Sequence, residues 1–567
     1  MLLLYFRTIR RLTLVQFIHR IKYILKRRKT EANSEKVTKS YHDEACRKLS
    51  CLKINSGLCV HYRNYYRHSL SDVLSNKITF LNHTVEFGAE IDWHAVELNH
   101  GTRLWKLNLH YHEFLIDVAH YYVESNDIMY LNYLVNTIKH WINENPIGTR
   151  GYGQDNWNSY ALSLRIVAWI KIYRLLASDF DEDFKQQFLI SLLSQTNFMT
   201  DNLELDILGN HLIKNYKALK FTADFFNEPA FSQTAQKIYD KYIRSQITAD
   251  GIHEELSPMY TGIVLEDLGE VYYLNVESSN LKEVLTKGLR SLSCLTYEGD
   301  YSFFNDSVNQ NEVSYTQLKK FLESMLGEQA THKGVFNVDG YVGSIDEAQH
   351  LIVDFAPVIF GPQPGHVHCD AGSLEWFVEG SKILTNSGVY EYNDGWRRDY
   401  ARSTKAHNTL SVSDREQSEI WGAFRLGRSA RVKLNEVSTN LTEGFNCSGE
   451  VSYFNAGPAI KHQRSVSQQQ NTLTVVDRLL TPDASAKAGA KVYFHFHSLF
   501  KLEEQGKKTV TMVNQNGQKV CLNTTAQLSV ETTEYFPEFG IAEKKLTVVI
   551  SNFNDGTVTT EVKINGN

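Results

Sequence analysis

Four segments gather histidine, asparagine, tyrosine and acids beside glycine or proline, the residue types that carry protons and hold carboxylates. Gly209-Asn210-His211-Leu212-Ile213-Lys214-Asn215 opens a helical pattern, where Asn210 is also placed to act as an N-cap. Asp250-Gly251-Ile252-His253-Glu254-Glu255-Leu256-Ser257-Pro258-Met259-Tyr260 reads as a loop and helix start, with Glu254 and Glu255 favouring the helix dipole. In Gly365-His366-Val367-His368-Cys369-Asp370-Ala371-Gly372 the two histidines, if the backbone is extended, project to one face, as a metal site or a shared catalytic pocket requires. The stretch from Trp396 to Thr409 holds Arg397, Arg398, Tyr400, Arg402, Lys405 and His407, groups that hydrogen-bond sugars and carboxylates and that a solvated loop also uses.

The elements that must position these residues change character along the chain. Before residue 350 there are three prolines, Pro146, Pro229 and Pro258; the other six of the nine follow it. Glu113–Glu124, Ile128–Asn143, Trp157–Leu176, Glu182–Asn202, His211–Phe226 and Pro229–Ile247 carry apolar residues three and four apart, which predicts successive hairpin-connected helices in an array or toroid. After about residue 340 the pattern turns to period two and β-branched residues, as in Gly372–Val378, Thr472–Val476 and Leu546–Ile550. That spacing predicts a large antiparallel sandwich. The expected division is 1–30 as a basic amphipathic leader, 31–95 mixed, 96–335 helical and 336–567 β-sandwich: a multidomain α+β chain.

Composition narrows the function classes. The 567 residues carry a formal net charge of −6 and are 42% hydrophobic, which argues against disorder and against a nucleic-acid partner. Residues 1–30 hold nine Lys/Arg and no acid, leaving 50 Lys/Arg against 65 Asp/Glu elsewhere, a body near −15. Seven scattered cysteines without CxxC spacing read as free thiols. Leu14, Phe17, Ile18, Ile21, Ile24 and Leu25 fall at helical spacing against Gln16, His19, Arg20, Lys22 and Lys26. Two readings stay open: a helix lying on an anionic membrane surface, or a helix docked on its own domain with the basic residues as its solvated face. No cleavable export signal is recognised, so a cytoplasmic or inner-membrane-peripheral location is expected ahead of a periplasmic one.

Taken in order, Gly209-Asn210-His211-Leu212, Ser257-Pro258-Met259-Tyr260, Gly365-His366-Val367-His368-Cys369-Asp370-Ala371 and Arg402-Ser403-Thr404-Lys405-Ala406-His407-Asn408-Thr409 resemble the heparinase II/III-like polysaccharide lyase family. Leu104–Tyr111, and Trp157 with Ser163-Leu164-Arg165-Ile166, resemble members found with surface-polysaccharide genes. The resemblance covers about residues 100 to 500 and implies an α/α toroid followed by an antiparallel β-sandwich, in agreement with the proline and periodicity reading.

It also implies β-elimination across a uronic-acid glycosidic bond of an acidic polysaccharide. Asn210, with His211 beside it, matches the residue that neutralises the sugar carboxylate. Tyr260 and His366 match the catalytic tyrosine and histidine: Tyr260 as acid, with the base role open to either. Trp157, Arg165, Glu255, Arg397, Tyr400 and Arg402 are the expected substrate contacts. The family's structural metal, often zinc, maps to His368, Asn386 and His407; Asn386 stands where an Asp is usual, which points to a harder ion or none. Lys214 stands where Glu is frequent and is either a substrate-charge determinant or a solvated position.

Two other classes compete. A toroid-type glycoside hydrolase would use paired acids such as Asp250, Glu254 and Asp306. A non-catalytic polysaccharide-handling protein would keep the fold alone. A body near −15 repels a heparin-scale polyanion unless Arg397, Arg398, Arg402 and Lys405 make the cleft basic, which favours a non-sulfated polymer; oligomeric state stays open.

Overall fold

The structure is a computed structural model that describes all residues except 1, 58–68, 96–101, 150–151, 276–277, 310–313, 359–363, 414, 441–443, 455–458, 554 and 566–567; Cys59 lies outside the described residues. The chain forms two compact units, one of Leu12–Gln246 with Glu266–Glu283, the other of Met1–Arg11, Ile247–Leu265 and Val284–Asn567. The basic leader is therefore divided: helix α1 (Leu2–Ile9) belongs to the second unit, and α2 (Leu14–Ala32) belongs to the first with α3 (Ser34–Leu49). Residues 247–265 and 284–335, read from sequence as part of the helical region, also belong to the second unit.

In the first unit the helices Arg103–Tyr111, Phe114–Ser125, Ile128–Glu144, Ser159–Leu176, Glu182–Thr200 and Gly209–Phe225 follow one another, as the apolar spacing predicts. Their starts are set by side-chain acceptors. Thr102, Asp127, Asn158 and Asp181 each accept a backbone N–H of the first turn, removing donors that the helix itself leaves unpaired. Ser159–Leu176 is buried on every side, so its Arg165, Lys171 and Arg174 need internal partners. Lys171 Nζ reaches Glu270 Oε1 at 2.7 Å, while Lys214 and Lys217 reach Asp267 Oδ1 at 3.0 and 2.9 Å. Burial alone would raise the Glu270 carboxyl, but Lys171 and Lys217 hold it well below the usual carboxylate range.

In the second unit Gly334–Val338, Tyr341–Ile345, Gln349–Asp354, Leu374–Val378 and Ser381–Leu384 form a five-stranded antiparallel meander. An eight-stranded antiparallel sheet runs in the order Arg431–Asn440, Gly444–Ser452, Lys461–Gln469, Thr472–Leu480, Thr557–Asn565, Lys519–Thr524, Thr509–Val513, Lys501–Gln505. Leu410–Val412, Ala490–His495, Glu543–Ser551 and Gln527–Tyr535 form a third sheet. Burial alternates strictly along Gly444–Ser452 and Lys461–Gln469, the period-two signal of a sheet with one face in the core. A mostly aliphatic core joins the three sheets, including Leu351, Trp376, Leu410, Val466, Val492 and Ile550.

A buried ion pair interrupts that core. Arg464 and Asp477 sit directly opposite on adjacent strands, and both are fully buried. Arg464 Nε donates to Asp477 Oδ1 at 2.7 Å and Nη1 donates to the Gly372 carbonyl at 2.6 Å, so the pair also fixes the end of the His366–Gly372 segment. The expected fold class, a helical N-terminal region followed by antiparallel sheets, is the one observed.

Candidate active site

Ser257 begins the helix Pro258–Leu274: its Oγ accepts the Tyr260 backbone N–H at 3.2 Å and donates to the Asp306 carbonyl at 2.7 Å. A serine cap followed by proline in the first turn is a strong local start signal. It holds Tyr260 one turn into the helix and ties that turn to the Phe304-Asn305-Asp306-Ser307 loop. The Tyr260 ring stacks on His366, with centroids 3.9 Å apart and planes 30° apart, and its Oη lies 3.1 Å from Tyr392 Oη. Tyr260 and His366 are each 9% exposed, so an edge of the pair is open to solvent.

Asp306 is the hub. His366 Nδ1 lies 2.7 Å from its Oδ2 and His368 Nε2 lies 2.6 Å from its Oδ1; Arg398 bridges both oxygens, with Nη2 at 2.8 Å. Burial pushes the Asp306 carboxyl up, but Arg398 and the two histidine hydrogen bonds outweigh it and hold the group well below the usual range. An ionised carboxylate only accepts, so His366 must carry a proton on Nδ1, and it is the neutral imidazole that holds a lone pair on Nε2. That Nε2 lies 4.0 Å from Glu255 Oε2, which is 3.5 Å from His253 Nδ1. Tyr260 is driven well above the ordinary phenol value, first by burial and then by Tyr392 and Asp306, so its hydroxyl keeps its proton at neutral pH.

Non-glycine residues with positive φ occur beside these groups: Leu256 at 54° next to Glu255, and Asn305 at 53° next to Asp306. Such conformations persist where surroundings over-determine them. Asn305 supplies the ties: Nδ2 donates to the Leu256 carbonyl at 3.1 Å, Oδ1 accepts from the His368 backbone N–H at 2.9 Å, and its own N–H donates to Asp370 Oδ2 at 2.7 Å.

On the helical unit, Asn210 is not the N-cap. Leu208, at φ 65°, caps Gly209–Phe225, and Asn210 lies buried in the first turn. His211 Nδ1 pairs with Glu204 Oε1 at 3.0 Å. Lys214 is neither solvated nor presented to a substrate; it is buried against Asp267.

Three expected substrate contacts are structural instead. The Trp157 indole N–H donates to the Asn145 carbonyl at 2.9 Å within an aromatic cluster. Arg165, fully buried, donates to Gln195 Oε1 and the His110 and Asn156 carbonyls at 2.7 to 2.8 Å and stacks on Trp141. Arg402, also buried, donates to the Val367, Gly422 and Arg425 carbonyls. Burial decides each case: the Trp157 indole is enclosed, and each guanidinium is buried with all three of its nitrogens donating to carbonyl oxygens of the protein. Arg397, half-buried, stacks on the Tyr390 ring at 3.9 Å, and Tyr400 lies 3.4 Å from Ser387 Oγ. Glu255 does approach His366, its Oε2 lying 4.0 Å from Nε2.

The expected metal ligands lie close but do not form a zinc donor set. The His368 and His407 rings are 5.4 Å apart, and Nδ1 of each is buried without a hydrogen-bond partner. Asn386 Oδ1 accepts from Ser373 Oγ at 2.7 Å and from the Asn408 backbone N–H at 3.1 Å. An N–H can face only the amide oxygen, so the unpartnered atom is Nδ2, which is no ligand. Two imidazole nitrogens fall short of the three protein ligands zinc requires.

Residues 18–327 match the family model described as heparinase II/III N-terminus, and residues 329–565 match heparinase II/III-like, C-terminal. The chain belongs to the heparinase II/III-like family. Within this family it is 23% identical over 465 residues to a heparin-sulfate lyase of Bacteroides thetaiotaomicron, covering 71% of this chain and 62% of that protein. It is likewise 23% identical over 424 residues to a heparin-sulfate lyase of Pedobacter heparinus, covering 67% and 60%. The chain thus spans less than two thirds of the length of these curated relatives. A crystal structure of heparinase III superposes with a TM-score of 0.69 at 21% identity, over 85% of this chain and 80% of that one, a likeness of fold.

The resemblance had singled out Tyr260 and His366, which the structure stacks together. Sequence reasoning misses Tyr392, which carries no motif signal; it places Asp306 only among the paired acids of the competing hydrolase reading and Arg398 in a basic field. Arg398 and the two histidines hold the Asp306 carboxyl well below its usual range, which does not suit a general acid.

Proposed function

We propose that the chain is a polysaccharide lyase that cleaves a uronic-acid-containing polymer by β-elimination. The observation that carries this reading is the Tyr260–His366 stack with His366 Nδ1 held by Asp306. It supplies one protonated acid beside one lone-pair base, as elimination needs. His366 Nε2 removes the C5 proton; the electron pair forms the C4–C5 double bond as the C4–O bond breaks. Tyr260 gives its phenolic proton to the leaving oxygen, and Tyr392, 3.1 Å away, hydrogen-bonds the resulting phenolate. Asn210, at the positive end of its helix, takes the carboxylate role by motif resemblance, where a neutral amide offsets the charge that develops as C5 loses its proton.

The relatives' names point to heparan-type polymers, but the charge distribution favours a less densely charged uronate. Arg398 and Arg402 are committed to Asp306 and to backbone carbonyls, which leaves Arg397 and the exposed Lys405 of the basic cluster. The test is a panel of heparan-like, alginate-like and bacterial capsular uronates followed by ultraviolet absorbance and reducing-end assays. Elimination gives absorbance and chain ends together. Cleavage that yields reducing ends without the conjugated chromophore overturns the reading.

A further inference from the structure

Helix α2 packs through its polar side. Gln16 Nε2 donates to the Ile207 carbonyl at 3.3 Å, Tyr23 Oη to the Gly153 carbonyl at 2.8 Å and Lys26 Nζ to the Asp201 carbonyl at 2.9 Å, while Arg20 pairs with Asp206 at 2.8 Å. Gln16 and Thr30 are buried. The opposite arc of the helix, roughly 120° wide at 3.6 residues per turn, carries Leu14, Phe17, Ile18, Ile21, Ile24 and Leu25. These six are between 41% and 73% exposed. This departs from the docked-helix expectation: Lys22, Lys26, Arg28 and Lys29 are solvated as it requires, but the apolar arc is exposed as well. Helix α1 on the other unit behaves alike: Trp421 Nε1 donates to Thr8 Oγ1 at 3.0 Å and Arg7 pairs with Glu419, while Leu3, Phe6 and Ile9 are exposed.

We infer that the outward face of α2 is a docking surface for an anionic lipid bilayer, on which the helix lies flat. The charge pattern selects this occupant. Lys22, Arg28 and Lys29 are exposed beside or within the apolar arc, and residues 1–30 contain no acid. A second copy of the chain would bring like charges face to face across a two-fold interface. Anionic headgroups neutralise those charges while the acyl boundary takes the leucines, isoleucines and phenylalanine. No helix among the described residues is long and apolar enough to cross a membrane, so the contact is peripheral.

The test is co-sedimentation of the full chain with phosphatidylcholine vesicles, with and without about 30% phosphatidylglycerol. Binding at least about tenfold tighter to the anionic vesicles, weakened by salt, is expected. Ile18→Glu with Ile21→Glu, and separately Lys22→Glu with Lys29→Glu, should each abolish that binding while the thermal unfolding curve stays in place. Both pairs are exposed, so neither change disturbs packing. Absence of binding, equal binding to both vesicle types, binding that survives both pairs, or a self-association that Ile18→Glu with Ile21→Glu disrupts would each overturn the inference.

Discussion

The Tyr260 and His366 rings lie face to face, 3.9 Å between centroids, although they are separated by more than one hundred residues. Each comes from a segment whose backbone is fixed by the Asn305-Asp306 loop: Ser257 donates to the Asp306 carbonyl, and the Asp306 N–H donates to the His366 carbonyl at 3.1 Å. The stack is thus assembled by one loop acting on both partners.

Removing Asp306 as an anion should damage stability and turnover together. Asp306→Asn leaves Arg398 buried beside a neutral amide and frees the His366 tautomer. Loss of one partner from a buried pair costs about 3–5 kcal/mol. Denaturant unfolding should show a loss of that order, and His366→Ala, which leaves Asp306–Arg398 paired, should show a markedly smaller one.

Lys214 is expected to act on stability rather than on substrate choice. Lys214→Glu would set a second carboxylate against Asp267, where Lys214 Nζ now lies at 3.0 Å. A destabilisation of about 3–5 kcal/mol follows from an unpaired buried charge. Thermal melts read it directly, and a variant that melts normally but changes polymer preference would refute this assignment.

Acid stability should depend on Asp477. Burial alone would raise its carboxyl, but Arg464 and His462 bring it down to about 2 from an ordinary 3.8. A depressed folded-state value contributes stability that is fully present above pH 3.8 and is lost as pH falls toward 2. The contribution is about 2 kcal/mol at neutral pH. Unfolding free energy measured from pH 6 to 2 should fall through that window, and Asp477→Asn should start lower and fall less steeply.

The metal question turns on one atom. The atom of Asn386 left without a partner is an amide nitrogen, not a carboxylate oxygen, so purified protein dialysed against chelator and then zinc should retain well under one equivalent, with an unchanged melting temperature. Asn386→Asp keeps the oxygen that accepts from Asn408 and replaces the nitrogen by an anionic ligand. That variant should take up about one zinc per chain and melt higher when loaded.

Much of the scaffold is legible in the sequence because it rests on local rules. The helices from Phe114 to Phe225 follow apolar spacing and side-chain caps, and the strands follow alternation. Motif order likewise singles out Tyr260 and His366, two residues that the structure stacks together. What the sequence hides is burial and partnership at a distance. Arg165 and Arg402 look like sugar ligands by type, yet both are enclosed by carbonyls. Asp306 looks like a catalytic acid until Arg398, ninety-two positions away, is placed against it. Helix α2 shows the same limit: periodicity identifies its two faces but not which one meets the protein.

The division of labour in the stacked pair is tested most directly by the initial rate of double-bond absorbance on the responsive uronate polymer. Tyr260→Phe and His366→Ala should each lower kcat about 10²–10⁴-fold while KM moves little. The double variant should be no worse than the more damaged single one by more than a few-fold. Chromophore formation at the wild-type rate in either single variant would contradict the account.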